Sequence, residues 1–282
     1  MEEINIKTNY HTHSLYCDGH DTLEELVETA LNKKFTTLGF SSHAMLPFSS
    51  DWHISAKDVN SYVEEIKSLK QKYSRKIELL TGFEADYING VTVPSFENYK
   101  DYNPDFLIGS VHYVPGKDGF IEADGNNQSV KDGIKKYFNG SIKNAVCEYF
   151  YNERQMLLKG DFTFLGHADL IRKQNAKEQL FNENDSWYKK EVKALVKEIA
   201  KTDVCVEVNT GGIARKSVNY LYPSNYMLEL LHQNNVPVTI NSDCHNKADL
   251  DCYFEEAKLE IKKAGYTELT FYTNGSFQQI KI

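Results

Sequence analysis

Six of the nine histidines in this 282-residue chain sit directly after short apolar runs of strand-like composition. They are His11 and His13 in His11-Thr12-His13, His43 after Ser41-Ser42, His112 after Ser110-Val111, His167 in His167-Ala168-Asp169, and His245 in Asp243-Cys244-His245. Two further runs end on carboxylates, in Glu84-Ala85-Asp86 and Glu207-Val208-Asn209. Residues two apart on a strand point to the same side, so His11 can converge with His13 and Asp243 with His245. A single buried histidine is usually a hydrogen-bonded core or rim residue. Six of them gathered with carboxylates are harder to accommodate without a cation, because unpaired buried charges are costly to desolvate. Nitrogen and oxygen donors without thiolates suit Zn, Mn or Fe(II). Clustered divalent ions lower the pKa of a water and clamp phosphoryl oxygens, which makes phosphoester hydrolysis the expected chemistry. Alternation turns Cys244 away from this cluster and into packing. His20 and His53 read as solvated loop residues, and His232 as a surface residue on an amphipathic helix.

Two arginines follow strand ends: Arg172 after His167-Ala168-Asp169, and Arg215 after Asn209-Thr210-Gly211-Gly212. A guanidinium presents a planar fork to a phosphate, so Arg172 and Arg215 are the expected clamp. Alone, each would read as an ordinary solvated loop residue. Gly211-Gly212 would let backbone amides approach an anion.

These residues need a frame that brings distant strand ends together. Strand candidates lie at 4–10, 37–41, 77–83, 106–111, 162–166, 204–208 and 236–240. Helical patterns separate them. Thr22 with Glu25 forms a capping-box signature before Leu23, Leu26, Val27 and Ala30, and Ser55 with Asp58 does so for residues 56–73. Ser129 with Asp132 opens another helix, ahead of the long 142–159 segment, and 187–201 and 224–233 follow, the last after Pro223. Strands alternating with helices imply parallel strands with helices packed outside. Seven such units without a separate cap predict an α/β fold, a closed or nearly closed barrel, with a doubly wound open sheet as its rival. In a barrel every C-terminal strand end lies on one face, where active sites sit. Residues 269–272 form one more strand-like piece, after the last ligand-bearing strand and contributing no ligand, with Asn274-Gly275 as its turn.

The remaining composition narrows the function classes. Net charge is −8, with no basic tail or track, which argues against nucleic acid as partner. No apolar run is long enough to span a bilayer, and the N-terminal residues do not read as a secretory signal. Five cysteines without a Cys-x-x-Cys pair fit reduced thiols in the cytoplasm.

The spaced motifs resemble the PHP (polymerase and histidinol phosphatase) superfamily, from His11-Thr12-His13 with Asp18-Gly19 to Ser242-Asp243-Cys244-His245. More narrowly they resemble its histidinol-phosphatase branch, through Gly82-Phe83-Glu84-Ala85-Asp86-Tyr87, Ile108-Gly109-Ser110-Val111-His112, Leu165-Gly166-His167-Ala168-Asp169-Leu170, Glu207-Val208-Asn209-Thr210-Gly211-Gly212 and Leu221-Tyr222-Pro223-Ser224. The resemblance implies a distorted seven-stranded TIM-like barrel, a single domain over residues 1–282, and three divalent metal ions. By that pattern His11, His13, Glu84 and Asp243 bind the first metal. Glu84 bridges to a second held by His112 and His167, and Asp18, His43 and His245 hold a third. Asp18 rests on the family pattern alone. Ser42 stands where many relatives carry an acidic residue, and alternation turns it away from His43. The implied reaction is hydrolysis of L-histidinol phosphate by a hydroxide between the first two metals, a step of histidine biosynthesis. Arg172 and Arg215 would stabilise the phosphoryl oxygens. Asp243 or an ordered water would protonate the leaving alkoxide. Glu122 and Asp124, in the loop 113–127, are the expected acceptors for the cationic end of that substrate. The alternatives are another phosphomonoester such as phosphotyrosine or a nucleotide, a phosphodiester, or a non-catalytic metal-binding module.

Overall fold

A computed structural model describes residues 6–282; residues 4 and 5 of the first expected strand lie outside that range. In chain order the strands are β1 (Thr8–Asn9), β2 (Thr37–Phe40), β3 (Glu78–Asp86), β4 (Phe106–Ser110), β5 (Tyr113–Gly116), β6 (Gly119–Glu122), β7 (Phe164–Leu165), β8 (Cys205–Asn209), β9 (Val238–Asn241), β10 (Glu268–Thr273) and β11 (Ser276–Lys281). The helices are α1 (Leu23–Asn32), α2 (Val59–Tyr73), α3 (Asn127–Tyr137), α4 (Ile142–Lys159), α5 (Ser186–Ile199), the single turn α6 (Gly211–Ala214), α7 (Asn225–Gln233) and α8 (Phe254–Lys263).

Seven strands pair in the order β1-β2-β3-β4-β7-β8-β9, and every pairing is parallel. The two ends of that sheet then meet. Thr12 bridges Cys244 in parallel, the His13 N–H donates to Cys244 O at 2.8 Å, and the Cys244 N–H donates to His11 O at 3.0 Å. The result is a closed seven-stranded β/α barrel, not an open sheet, distorted where β1 and β7 shrink to two residues each.

A small apolar cluster of Tyr10, Leu80, Phe106, Ile108, Phe164 and Cys205 fills the lumen. Phe106 fits because Gly39 and Gly82 face it: a Cβ at either would fall 2.7 or 2.5 Å from its ring. Outside, the helices bury one stripe each. On α1 that stripe is Leu23, Leu26, Val27 and Ala30, started by the expected Thr22–Glu25 capping box. The hairpin β10–β11 lies at the other end of the barrel from the histidines. Tyr272 packs edge-on to Phe164, and its backbone N–H donates to Tyr10 Oη at 2.7 Å. This matches the expected ligand-free strand and its Asn274-Gly275 turn.

Three local expectations are corrected. Ser55 and Asp58 bond each other at 2.6 Å, but residues 56–58 form a turn and α2 starts only at Val59. Asn126, not Ser129, caps α3, its side chain accepting from the Ser129 N–H. The loop 113–127 contains an antiparallel hairpin, β5–β6, which carries Glu122 at its end.

Candidate metal centre

The C-terminal ends of the barrel strands bring eight side chains to one place, and Asp18 joins them from the turn that follows β1. Their nitrogen and carboxylate atoms form four overlapping groups: His13, Asp18, His43 and His245; His11, His13 and Asp243; His11, Glu84 and His167; and His43, Glu84 and His112. Within each group the atoms lie within 4.8 Å of one another. All nine expected ligand residues take part. The grouping differs from the expected one: His13 also joins Asp18, Glu84 falls outside the His11–His13–Asp243 group, His11 rather than His112 joins Glu84 and His167, and His43 joins Glu84 and His112.

Glu84 sits at the centre. Its Oε2 lies 3.1 Å from His11 Nε2 and 2.9 Å from His43 Nδ1, and its Oε1 lies 2.9 Å from His167 Nε2 and 3.5 Å from His112 Nε2. Asp243 Oδ1 is 3.2 Å from His13 Nε2, and Asp18 Oδ2 is 3.2 Å from His245 Nε2. Burial alone would raise the Glu84 carboxyl, but the imidazoles of His11, His43 and His112 hold it well below the usual range. Asp243 is also depressed: burial opposes its ionisation, and Arg215 and His11 outweigh burial. His13 goes the opposite way, pushed well down by burial and by the neighbouring His245 and His43. Several imidazoles and carboxylates held charge-ready at such range call for cations between them.

Unpaired atoms make the same point. Despite those short distances, buried His11 Nε2, His13 Nε2, Asp18 Oδ1, His43 Nδ1 and Glu84 Oε2 make no well-aligned hydrogen bond, although buried polar groups are normally satisfied. All five belong to the nine converging residues. Donor type, burial and orphaned atoms together fit a multinuclear site for divalent cations.

The partners behind the cluster fix its geometry. Glu207 Oε2 meets His11 Nδ1 at 2.8 Å and Asp86 Oδ1 meets His112 Nδ1 at 2.9 Å, so each imidazole turns Nε2 toward the centre. Asn209 bonds both Glu207 Oε1 and Asp243 Oδ2. Glu207, Asp86 and Asn209 stand out in the sequence as strand-end residues, two positions from another polar residue, but only the fold shows that they orient the histidines. Asp243 adopts φ +48°, a left-handed conformation that Asp tolerates better than most residues. Cys244 is buried, its Sγ bonding Asn246 O, and Ser42 bonds Ser14, both turned away as expected. His53 is buried rather than solvated, with Nε2 at 2.8 Å from Asp86 Oδ2.

The two arginines part company. Arg215 lines the cavity of about 400 Å³ above the cluster. Its Nη2 donates to Asp243 Oδ2 at 2.8 Å, and its Nη1 donates to Asp243 O at 2.6 Å. Arg172 does not line that cavity. It is buried against Glu183 (Nε to Oε2, 2.8 Å), donates to Leu221 O at 3.2 Å, and stacks on Tyr220. The expectation of a two-arginine clamp is therefore corrected to one arginine, because the 3-10 turn after β7 buries Arg172 and turns Lys173 into the cavity instead. Gly211 serves packing rather than an anion: its N–H is taken by Asn209 Oδ1, and a Cβ there would fall 2.9 Å from Asp243 Cβ. Glu122 and Asp124 both line the cavity, joined by Tyr222 of the Leu221–Ser224 motif and by Trp52, Lys173 and Ser217, which the sequence does not mark. Burial and the neighbouring Asp124 raise the Glu122 carboxyl. Lys173 Nζ lies 3.9 Å from Asp124 Oδ2.

Comparison with known proteins bears on this site. The family model for the PHP domain matches residues 9–211. The histidinol-phosphatase of Bacillus subtilis is 27% identical over 90% of this chain and 98% of its own. A Listeria monocytogenes structure assigned as a histidinol phosphatase superposes with a TM-score of 0.78 at 22% identity, covering 89% of this chain and 99% of that one. The histidinol phosphate phosphatase of Lactococcus lactis, solved with zinc, L-histidinol and phosphate, superposes with a TM-score of 0.72 at 20% identity, covering 96% and 98%.

Proposed function

The chain belongs to the PHP domain family, and on that premise we propose that it is a metal-dependent phosphatase hydrolysing L-histidinol phosphate to L-histidinol and phosphate, a late step of histidine biosynthesis. The observation that carries this reading is the convergence of six imidazoles and three carboxylates beneath a cavity that also holds one guanidinium and two further carboxylates. The similarity to curated histidinol phosphatases across nearly their whole length supports the choice of substrate.

In this proposal His11, His13, Asp18, His43, Glu84, His112, His167, Asp243 and His245 hold three divalent ions, zinc being the metal in the Lactococcus lactis structure. When bound, such ions lower the pKa of water and neutralise charge building on a phosphoryl group. The protein's own groups do the rest. Glu207 and Asp86 keep His11 and His112 in the tautomer whose Nε2 is free to ligate. Arg215, spanning the Asp243 carboxylate and carbonyl, presents its remaining N–H groups to the substrate phosphate. Glu122, with Asp124 behind it, accepts from the cationic end of the substrate. Asp243 Oδ2 is taken by Arg215 and Asn209 and its carboxyl is held well below the usual range, so Asp243 would offer Oδ1 as a ligand and an ordered water would protonate the leaving alkoxide.

We read the chain as one domain, a reading supported by a single cluster of buried residues that extends from Leu23 to Ile261. Among the described residues no helix is long and apolar enough to cross a membrane. Five unpaired cysteines fit a reducing, cytoplasmic compartment.

The test is phosphate release from histidinol phosphate, phosphotyrosine, AMP and a phosphodiester, each with and without a chelator. Histidinol phosphate should give the highest kcat/KM, and the chelator should abolish turnover. Faster hydrolysis of AMP or phosphotyrosine would replace the substrate while keeping the metal phosphatase. Preference for the diester would replace the reaction. No turnover of any ester by metal-loaded protein would leave a binding module.

A further inference from the structure

Trp52 lines the cavity, yet the proposed chemistry gives it no part. It stands on the connection between β2 and α2, and its neighbours fix it there. The indole stacks on Tyr113, centroids 5.7 Å apart and planes 14° from parallel. It meets the rings of His43 and His112 edge-on, at 4.6 and 5.3 Å. The same connection is pinned from below, with Ser50 Oγ 2.7 Å from His53 Nδ1 and His53 Nε2 2.8 Å from Asp86 Oδ2. Tyr113 pairs across the β5–β6 hairpin with Glu122, and Trp52 and Glu122 line the same cavity. Asp124 has Lys173 beside it; Glu122 has no such lysine among the described residues. A rigid aromatic face next to an uncompensated carboxylate is a receptor for a flat ring that can carry a hydrogen-bond donor or a positive charge.

We propose that Trp52, with Glu122 beside it, is the specificity-determining subsite for the leaving group, its indole packing against the substrate imidazole while the carboxylate accepts from the ring. This rests on the histidinol phosphate reading and adds the residue that selects a heteroaromatic alcohol over an aliphatic one. Phosphate recognition, by contrast, belongs to Arg215 and the metal ligands.

Metal-loaded Trp52→Leu and Trp52→Phe enzymes test the subsite. The readouts are inhibition by L-histidinol, inhibition by inorganic phosphate, and the separate KM and kcat for histidinol phosphate. Trp52→Leu should bind L-histidinol on the order of tenfold more weakly, the size of one desolvated aromatic contact, with KM rising in parallel. Phosphate inhibition should stay as in the wild type, and Trp52→Phe should recover most of the loss. Unchanged L-histidinol inhibition in Trp52→Leu, with the wild type active on histidinol phosphate, would overturn the subsite alone. Equal weakening of L-histidinol and phosphate would overturn it too, marking Trp52 as a prop for His43 and His112. A wild type indifferent to L-histidinol and to histidinol phosphate would overturn the functional reading and the subsite together.

Discussion

Replacing Glu207 by glutamine should cripple the metal centre without touching a proposed ligand. The Glu207 Oε1 accepts from the His167 backbone N–H at 2.8 Å and from Asn209 Nδ2 at 2.8 Å. Its Oε2 meets His11 Nδ1 at 2.8 Å and accepts from Asn241 Nδ2 at 3.0 Å. An ionised carboxylate accepts on both oxygens, whereas an amide accepts on one and donates from the other end. In Glu207→Gln the amide NH2 must therefore face one of these two pairs. Facing His167 and Asn209, it orphans two buried donors, at about 1–3 kcal/mol each. Facing His11 and Asn241, it drives the imidazole to the tautomer with its hydrogen on Nε2, the atom 3.1 Å from Glu84, and removes it as a ligand. Either arrangement weakens the site, and loss of such an orienting partner typically lowers metal affinity about 10–100-fold. Chelator-competition titration, with metal content by mass spectrometry and thermal unfolding of the metal-free protein, measures both consequences. Metal affinity and unfolding temperature indistinguishable from the wild type would refute the reasoning.

Arg215→Ala should lower kcat/KM by about one to two decades, from a charged hydrogen bond of about 1.5–3 kcal/mol; because Arg215 also braces Asp243, metal titration should show one weakened site. Arg172→Met should leave KM unchanged and cost about 3–5 kcal/mol in urea unfolding, since it strands the buried Asp169 without its cation. Glu153 lies buried on α4 with neither carboxyl oxygen hydrogen-bonded, and burial raises its pKa well above 4.5. A raised carboxyl pKa contributes stability that is fully present below the unfolded value and is lost as pH rises toward the folded one. Glu153→Gln should therefore match the wild type near pH 4 and exceed it at pH 8, the gap growing by up to about 1.4 kcal/mol per pH unit; equal pH slopes in denaturant unfolding would contradict this.

What the sequence revealed follows from how locally each feature is encoded. Strand ends were legible because apolar runs stop abruptly at polar residues spaced by two, and the barrel then gathers them regardless of their separation along the chain. Eight of the nine proposed ligands stand out by that alternation, but it does not separate Glu84 from Asp86 or His167 from Asp169; that sorting, like Asp18 in its turn, comes from the family resemblance. The burial of Arg172 is not legible in the sequence, for the complementary reason. It sits on a 3-10 turn, where neighbouring residues face different ways, and nothing in His167-Ala168-Asp169-Leu170 sets which of Arg172 and Lys173 reaches the cavity. Helix starts at Asp58 and Asn126 were misplaced because a Ser with a downstream acid satisfies the same pattern whether or not its turn is helical. Trp52 is not marked in the sequence because its proposed role depends on Tyr113, far along the chain and brought against it by the fold.

The most direct test of the account is the anomalous-scattering map of the protein crystallised with zinc and phosphate. It should show three peaks, with His11, His13, Asp18, His43, Glu84, His112, His167, Asp243 and His245 at about 2.0–2.3 Å from them and the phosphate between the peaks and Arg215. A single peak, or more than two of these side chains outside coordinating range, would contradict the trinuclear centre.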